Sequence, residues 1–287
     1  IQTEVETLFR HIDEHFSTWR EDSELSRFNQ RETTEPQAVS ADLILLTDLT
    51  QRIHDLTGGC YDPTVQPLSE LWGFARDEQR VPAAAEIQAT LAHDGLDKLE
   101  IDPAANTLRK RDPLVKLSLD SIAQGYTIAG MAKILEGHGI HNYLAEIGGE
   151  MKVKGRKANG APWRVAVEKP TPMSREVQRI LELQQTEGLA VMTSGTYRNY
   201  FEAEGQTYSH IIDPRTGLPV THRLLSTTLL HPDPTLADAW STALLCLGET
   251  EGLRVAEAEG LRALFIYRDG DQLKEAMSSG FAAQVGP

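Results

Sequence analysis

Between Asn142 and Leu230 the chain abandons helical spacing, and paired glycines cut it into strand-length pieces. Asn142 to Met151 reads as a strand ending in Gly148-Gly149, and residues 151–168 alternate around a turn from Gly155 to Gly160. Residues 189–192, 197–203 and 206–212 continue as a meander broken by Thr193-Ser194-Gly195 and by Glu204-Gly205. Thr227 to Leu230 is strand-like again, and a terminal hairpin turns at Asp269-Gly270. Strands joined by short turns pair antiparallel, so this block excludes an all-helical or doubly wound chain.

Helices flank the block. Val5, Leu8, Phe9, Ile12 and Phe16 recur at helical spacing over residues 4–16, and Ser23 is a candidate cap further on. Ser40 caps a helix whose buried face is Leu43, Leu46, Leu49, Ile53 and Leu56, and Gly58-Gly59 stops it. The loop Cys60 to Val65 leads into Leu68, Leu71 and Trp72, and residues 97–101 and 107–110 form a hairpin around Asp102 to Asn106. Leu114 to Leu119 reads as a strand that delivers Ser118, Asp120 and Ser121 to a helix. That helix carries Ile122, Tyr126, Ala129, Ile134 and Leu135 and ends near Gly137 or Gly139. The expectation is an α+β fold of mixed, mostly antiparallel sheets with packed helices, as one domain over residues 1–287 with room for two intimately packed sub-parts.

Composition narrows the function. Against 42 acidic residues stand 28 Lys and Arg, a net charge of −14 with no basic stripe, which argues against nucleic acid as a partner. Such a surface repels anions, so a phosphate-bearing ligand needs a metal or local basic groups. Two cysteines are too few for a disulfide framework or a cysteine metal site and leave the compartment open. No apolar run reaches a membrane span. The chain opens Ile1-Gln2-Thr3 without an initiator Met, and the expectation is a preceding segment such as a signal or anchor.

Two segments carry chemistry. Ser209 to Pro219 packs His210, Asp213 and Arg215 into six residues and closes on Thr216-Gly217-Leu218-Pro219. About one helix later, Asp238 and Thr242 lie four apart in Ala237 to Ala243 and share a helical face. Two hard oxygens on one face are half of a Mg²⁺ site. An imidazole can move a proton near neutral pH, and a guanidinium can hold an anion. Each residue also has a structural reading: Asp238 as a helix-dipole carboxylate, Thr242 as a core threonine, Gly148-Gly149 as a tight turn, and Ser118, Ser121 and Gln124 as helix-start residues. There is no P-loop, no Gly-x-Ser-x-Gly elbow and no His-Glu-x-x-His helix. The residues alone lead to metal-assisted phosphate chemistry.

Taken in order, Trp19 to Asn29, Tyr61 to Phe74, Ser118 to Tyr126, Ile147 to Glu150, Ala190 to Tyr197, His210 to Pro219 and Ala237 to Ala243 resemble the ApbE family of flavin transferases. The resemblance implies a T-fold-like α+β core and Mg²⁺-dependent cleavage of FAD, with FMN joined through phosphate to a threonine of a target flavoprotein and AMP released. It implies FAD contacts from Trp19, Cys60, Tyr61, Asp62, Gly148, Gly149 and Ile212. Ser118 stands where many relatives carry Asp, and Gln124 replaces a Lys or Glu. Metal ligation is implied for Asp238 and Thr242, with Ser121 supplying oxygen and Ser241 standing where some relatives have a second Asp. His210 is expected as the general base, with Asp213 orienting it or acting in its place. The implied acceptor is a subunit of a respiratory Na⁺-translocating or electron-transfer complex, and the implied location is periplasmic, with a membrane anchor preceding this chain. The alternatives are a Mg²⁺-dependent FAD pyrophosphatase giving FMN and AMP, and a non-catalytic FAD-binding protein.

Overall fold

The computed structural model describes residues 1–75, 78–172, 176–183 and 185–285. The helices are α1 (Gln2–Phe16), α2 (Glu24–Gln30), α3 (Ala41–Leu56), α4 (Gln66–Leu71), α5 (Ala84–Leu91), α6 (Asp120–Gly137), α7 (Pro234–Ala258) and α8 (Ser279–Val285). The first strands are β1 (Gln37–Ala38), β2 (Leu99–Asp102), β3 (Thr107–Lys110), β4 (Tyr143–Ile147) and β5 (Glu150–Gly155). They are followed by β6 (Trp163–Glu168), β7 (Val177–Leu183), β8 (Gln185–Gly195), β9 (Tyr200–Ala203) and β10 (Gln206–Ser209). The last are β11 (Ile212–Asp213), β12 (Leu218–Pro219), β13 (Leu224–His231), β14 (Arg262–Asp269) and β15 (Gln272–Met277). Among the described residues every strand pairing is antiparallel, so the α+β expectation holds.

The chain forms two compact units. One comprises Ile1–Phe9, Ile122–Arg198 and His222–Pro287, and the other Arg10–Ser121 and Asn199–Thr221. The first is built on a six-stranded sheet of order β15-β14-β13-β8-β5-β4. Helix α7 lies against β8, β13 and β14. Val153, Val165, Leu181, Leu189, Val191, Leu230, Leu264, Ile266 and Phe281 fill a core beneath the sheet. Truncating one fully buried Leu of this core costs about 2–5 kcal/mol. Asp233 caps α7 by accepting from the Thr235 amide at 2.8 Å, and Pro234 starts the helix where its missing N–H is not needed.

The second unit carries the β1-β3-β2 sheet and the hairpins β9–β10 and β11–β12. Leu68, Trp72, Phe74, Ile87, Phe201 and Ile212 form its aromatic core. Ser23 and Ser40 cap α2 and α3 as their spacing predicts, each accepting from the amide three residues on.

Three expectations change. Leu114 to Leu119 is not a strand, because its polar backbone is satisfied without a ladder. Asn29 bonds both the amide and the carbonyl of Leu117 at 2.8 Å, and the Ser118 amide donates to the Pro63 carbonyl at 2.7 Å. Thr193-Ser194-Gly195 does not break the meander but ends β8, paired there with Ser226 to Thr228 of β13. Strand β7 escaped the sequence reading; it pairs with β6 as a separate ribbon.

Candidate functional site

The segment with His210 is shaped in the second unit by a turn. Asp213 accepts from the Thr216 and Gly217 amides through its carbonyl, at 3.1 and 2.8 Å. Gly217 has φ of +72°, and a Cβ there would meet Ile87 at 2.5 Å, so this position needs glycine. The Trp72 indole donates to the Gly217 carbonyl at 2.9 Å and ties the turn to the aromatic core.

His210 is anchored by backbone. Its amide and its Nδ1 both donate to the Asn199 carbonyl, at 3.1 and 3.0 Å. A carbonyl only accepts, so the proton sits on Nδ1 and the lone pair on Nε2. The ring meets Phe74 edge-on with centroids 6.4 Å apart. Burial pushes the imidazole pKa below its ordinary value, the Asn199 bond opposing this in part. His210 is therefore neutral at pH 7 in the tautomer a base requires. The expected orienting role of Asp213 is not filled: its carboxylate takes Arg215 bidentately, at 2.8 and 2.7 Å, and Asn199 does the orienting. Arg215 thus holds the turn. Asn199 was missed because a main-chain acceptor leaves no mark in the residue type.

The other expected residues of this unit differ in exposure. Trp19 is 73% exposed, an open aromatic face. Cys60, Tyr61 and Asp62 are buried. Asp62 accepts from the Thr64 amide and hydroxyl and from the Leu96 amide, so its carboxylate braces the loop. The Ser121 hydroxyl donates to the Tyr61 phenol oxygen at 3.0 Å. Ser118 accepts from the Asp120 amide at the start of α6. Ile212, expected against FAD, packs its side chain into the aromatic core and is 6% exposed.

The first unit assembles a second cluster. Asp238, on α7, is buried, and its Oδ2 accepts from the Gly125 amide of α6 at 2.8 Å. Burial raises its pKa to about 7, opposed by bonds from the Gly125 and Gln124 amides. Glu150 opens β5 directly after Gly148-Gly149, and both its carboxylate oxygens accept from the Thr193 amide, at 3.1 and 2.9 Å. Burial pushes Glu150 well above the usual carboxylate range, and the charge of Asp238 adds to the shift. Among the described residues no Lys, Arg or His forms an ion pair with Asp238 or Glu150. The buried carboxylate of Asp238 and the half-buried one of Glu150, neither in an ion pair among the described residues, suit a hard divalent ion together with the half-buried hydroxyl of Thr242.

Glu150 reaches the wall of a cavity of about 190 Å³ that Gly148, Gly149, Thr193, Tyr197 and Arg198 also line. Arg198 pairs with Glu168 at its wall and lies over the Tyr197 ring, 5.7 Å from the centroid. Gly148 and Gly149 have φ of +64° and +103° and leave bare backbone; a Cβ on Gly148 would sit 3.1 Å from the side-chain Nε2 of Gln124. Ser241 is fully buried, and its hydroxyl donates to the Asp238 carbonyl at 2.8 Å. Sequence reasoning missed Glu150, Thr193 and Ser194 as site residues. The only signal was their place at a glycine turn beside a strand end.

Gly125 sets the spacing of this cluster. A Cβ there would meet the Pro234 carbonyl oxygen at 2.3 Å and the Asp238 Cβ at 2.7 Å. Gly125→Ala is expected to cost about 1–3 kcal/mol or more in urea unfolding, because backbone must move. Gly137→Ala, at the end of the same helix with nothing within 4 Å, should cost nothing. Equal losses for the two would mean that helix contact at Gly125 is not what matters.

A model described as the ApbE family matches residues 1–265. The chain belongs to the ApbE family. It is 43% identical over 283 residues to the FAD:protein FMN transferase of Vibrio cholerae, covering 98% of this chain and 83% of that protein. It is 36% identical over 285 residues to the Escherichia coli K12 protein of the same name, covering 98% and 80%. Its fold is similar to the solved flavin transferase ApbE from Vibrio cholerae, with a TM-score of 0.89 and 42% identity over 99% of this chain and 89% of that one. The apo flavinyl transferase ApbE of Pseudomonas stutzeri superposes with a TM-score of 0.90 at 36% identity, over 100% and 88%. Like these relatives, this ApbE protein is a transferase. Among its described residues no helix is long and apolar enough to cross a membrane.

Proposed function

We propose that this ApbE protein transfers FMN from FAD to a threonine side chain of an acceptor flavoprotein in a Mg²⁺-dependent reaction, releasing AMP. The observation that carries the reading is His210, neutral at pH 7 with Nε2 left to accept a proton. In the reaction the threonine oxygen forms a bond to the phosphorus that bears the riboflavin moiety. The bond from that phosphorus to the bridging oxygen breaks, AMP leaves with the electron pair, and the threonine proton passes to His210. Trp19 offers an exposed ring for stacking on flavin or adenine, while Gly148 and Gly149 let a ligand lie against main chain. Asp238 and Thr242 would hold the Mg²⁺, with oxygen from Ser121 in the resemblance. Bound there, the ion would supply charge neutralisation for the pyrophosphate. The reading carries a periplasmic location and an acceptor subunit of a respiratory Na⁺-translocating or electron-transfer complex.

Mass spectrometry tests this directly. The protein is incubated with FAD, Mg²⁺ and an acceptor domain bearing the target threonine. FMN should appear as a covalent mass on that domain, and neither a Thr→Ala acceptor nor a chelator-treated reaction should show it. Release of free FMN and AMP with no modified acceptor would replace transfer by hydrolysis.

A further inference from the structure

Three hydroxyls in the first unit form a short network. Ser194 Oγ, near the end of β8, lies 2.6 Å from Ser241 Oγ and 3.0 Å from Thr242 Oγ1, both on α7. Ser241 Oγ in turn lies 2.8 Å from the Asp238 carbonyl oxygen. Each of these oxygen–oxygen contacts needs a proton, and each hydroxyl supplies one. The Asp238 carbonyl can only accept, so the Ser241 proton points at it. The Ser194 proton must then go to Ser241, and the Thr242 proton to Ser194. No other assignment puts a hydrogen in every contact. Thr242 therefore commits its proton inside the network, and its oxygen is left with lone pairs alone for any outside partner.

That direction matters for a metal. A hydroxyl ligates a cation through a lone pair, with its proton turned away, and groups behind a ligand set that orientation. We propose that Ser194 is a positioning residue: it accepts the hydrogen bond from the Thr242 hydroxyl and so presents the Thr242 oxygen to a divalent cation held with Asp238. The proposal rests on the reading in which Asp238 and Thr242 hold Mg²⁺. Ser241, which the sequence placed among the ligands, becomes a relay in this scheme. It is fully buried and gives its proton to main chain, which fixes the direction of the whole chain of bonds.

Ser194 is itself held from two sides. Its neighbour Thr193 donates its amide to both oxygens of Glu150 and bonds Thr228 through its hydroxyl at 2.9 Å. The strand β13 pairs with the same residues, Thr227 facing Ser194. A hydroxyl fixed in this way loses little entropy when the cation arrives. With Ser194 removed, the Thr242 hydroxyl is free to turn its proton into the position that the cation must occupy.

Mn²⁺ is the probe, titrated into the FAD-bound protein and read by electron paramagnetic resonance as loss of the free-ion signal. Ser194→Ala should weaken Mn²⁺ binding about 10–100-fold, the range for groups that orient a metal ligand. In a Thr242→Val background the same change should add nothing, since there is no hydroxyl left to orient. Ser194→Cys keeps the volume with a poor acceptor and should match Ser194→Ala, so it serves if the alanine variant does not fold. Losses that multiply in the double variant, or a Ser194→Ala protein that binds Mn²⁺ like the parent, would overturn the role of Ser194 while the metal reading stands. Parental Mn²⁺ affinity in Asp238→Ala and Thr242→Val would instead sink the metal reading, and the proposal with it.

Discussion

His210→Ala is expected to bind FAD as the parent does and to transfer FMN at least about a hundredfold more slowly. A threonine hydroxyl is a poor nucleophile near neutral pH and needs a base in place when it attacks. His210 meets the geometric condition without a carboxylate partner, because the Asn199 carbonyl holds Nδ1–H. The pH profile follows from the shift. Burial depresses the imidazole pKa, so the neutral, active form persists to lower pH than for a free histidine of pKa about 6.5. The rate should therefore stay level through pH 7, and its acidic limb should begin below that ordinary value. Single-turnover transfer measured across pH checks both statements. A parental rate in His210→Ala would put the base elsewhere, and an acidic limb above the ordinary value would contradict the burial argument. Asp213→Asn should act differently, loosening the turn through Arg215 and leaving the pH limb where it was.

Asp238→Asn should separate stability from activity. In the folded chain the Asp238 carboxyl has its pKa raised to about 7 from an ordinary 3.8, through burial first. A raised carboxyl means that the folded state binds the proton more tightly than the unfolded state. Its contribution thus favours folding below the unfolded value and is lost as pH rises to about 7. One unit is worth 1.36 kcal/mol, but the amides of Gly125 and Gln124 suit a carboxylate better than an amide side chain. The metal-free variant is therefore expected to gain about 1–3 kcal/mol at pH 8 in urea unfolding, and nothing at pH 4. It should also lose the stabilisation that Mg²⁺ and FAD confer on the parent, and with it nearly all transfer. A variant less stable than the parent at pH 8 would show that the buried charge is compensated by a group of the protein itself.

Much of the chain was legible before folding. Ser23 and Ser40 declared their caps because an N-cap is a local bargain between one side chain and amides three residues away. The β4–β5 and β14–β15 hairpins followed from glycine turns flanked by alternating residues. Leu114 to Leu119 misled because its apolar run looks like a strand, while its hydrogen bonds go to the distant Asn29. No local pattern announces an asparagine eighty-eight positions away. Ile212 shows a second role that its motif did not announce: a residue expected at the ligand also packs its side chain into the aromatic core.

The sequence by itself determined the α+β class, the family and the residue types that its chemistry needs, because period, turn residues and motif order are written along the chain. Only the tertiary structure decided which of those residues serve which partner. Asp213 went to Arg215, Asn199 took the place expected of it beside His210, and Glu150 came to share the field of Asp238. The reason is physical: hydrogen bonds and buried charges are settled by distance and solvent exclusion, and both arise when segments remote in sequence pack together.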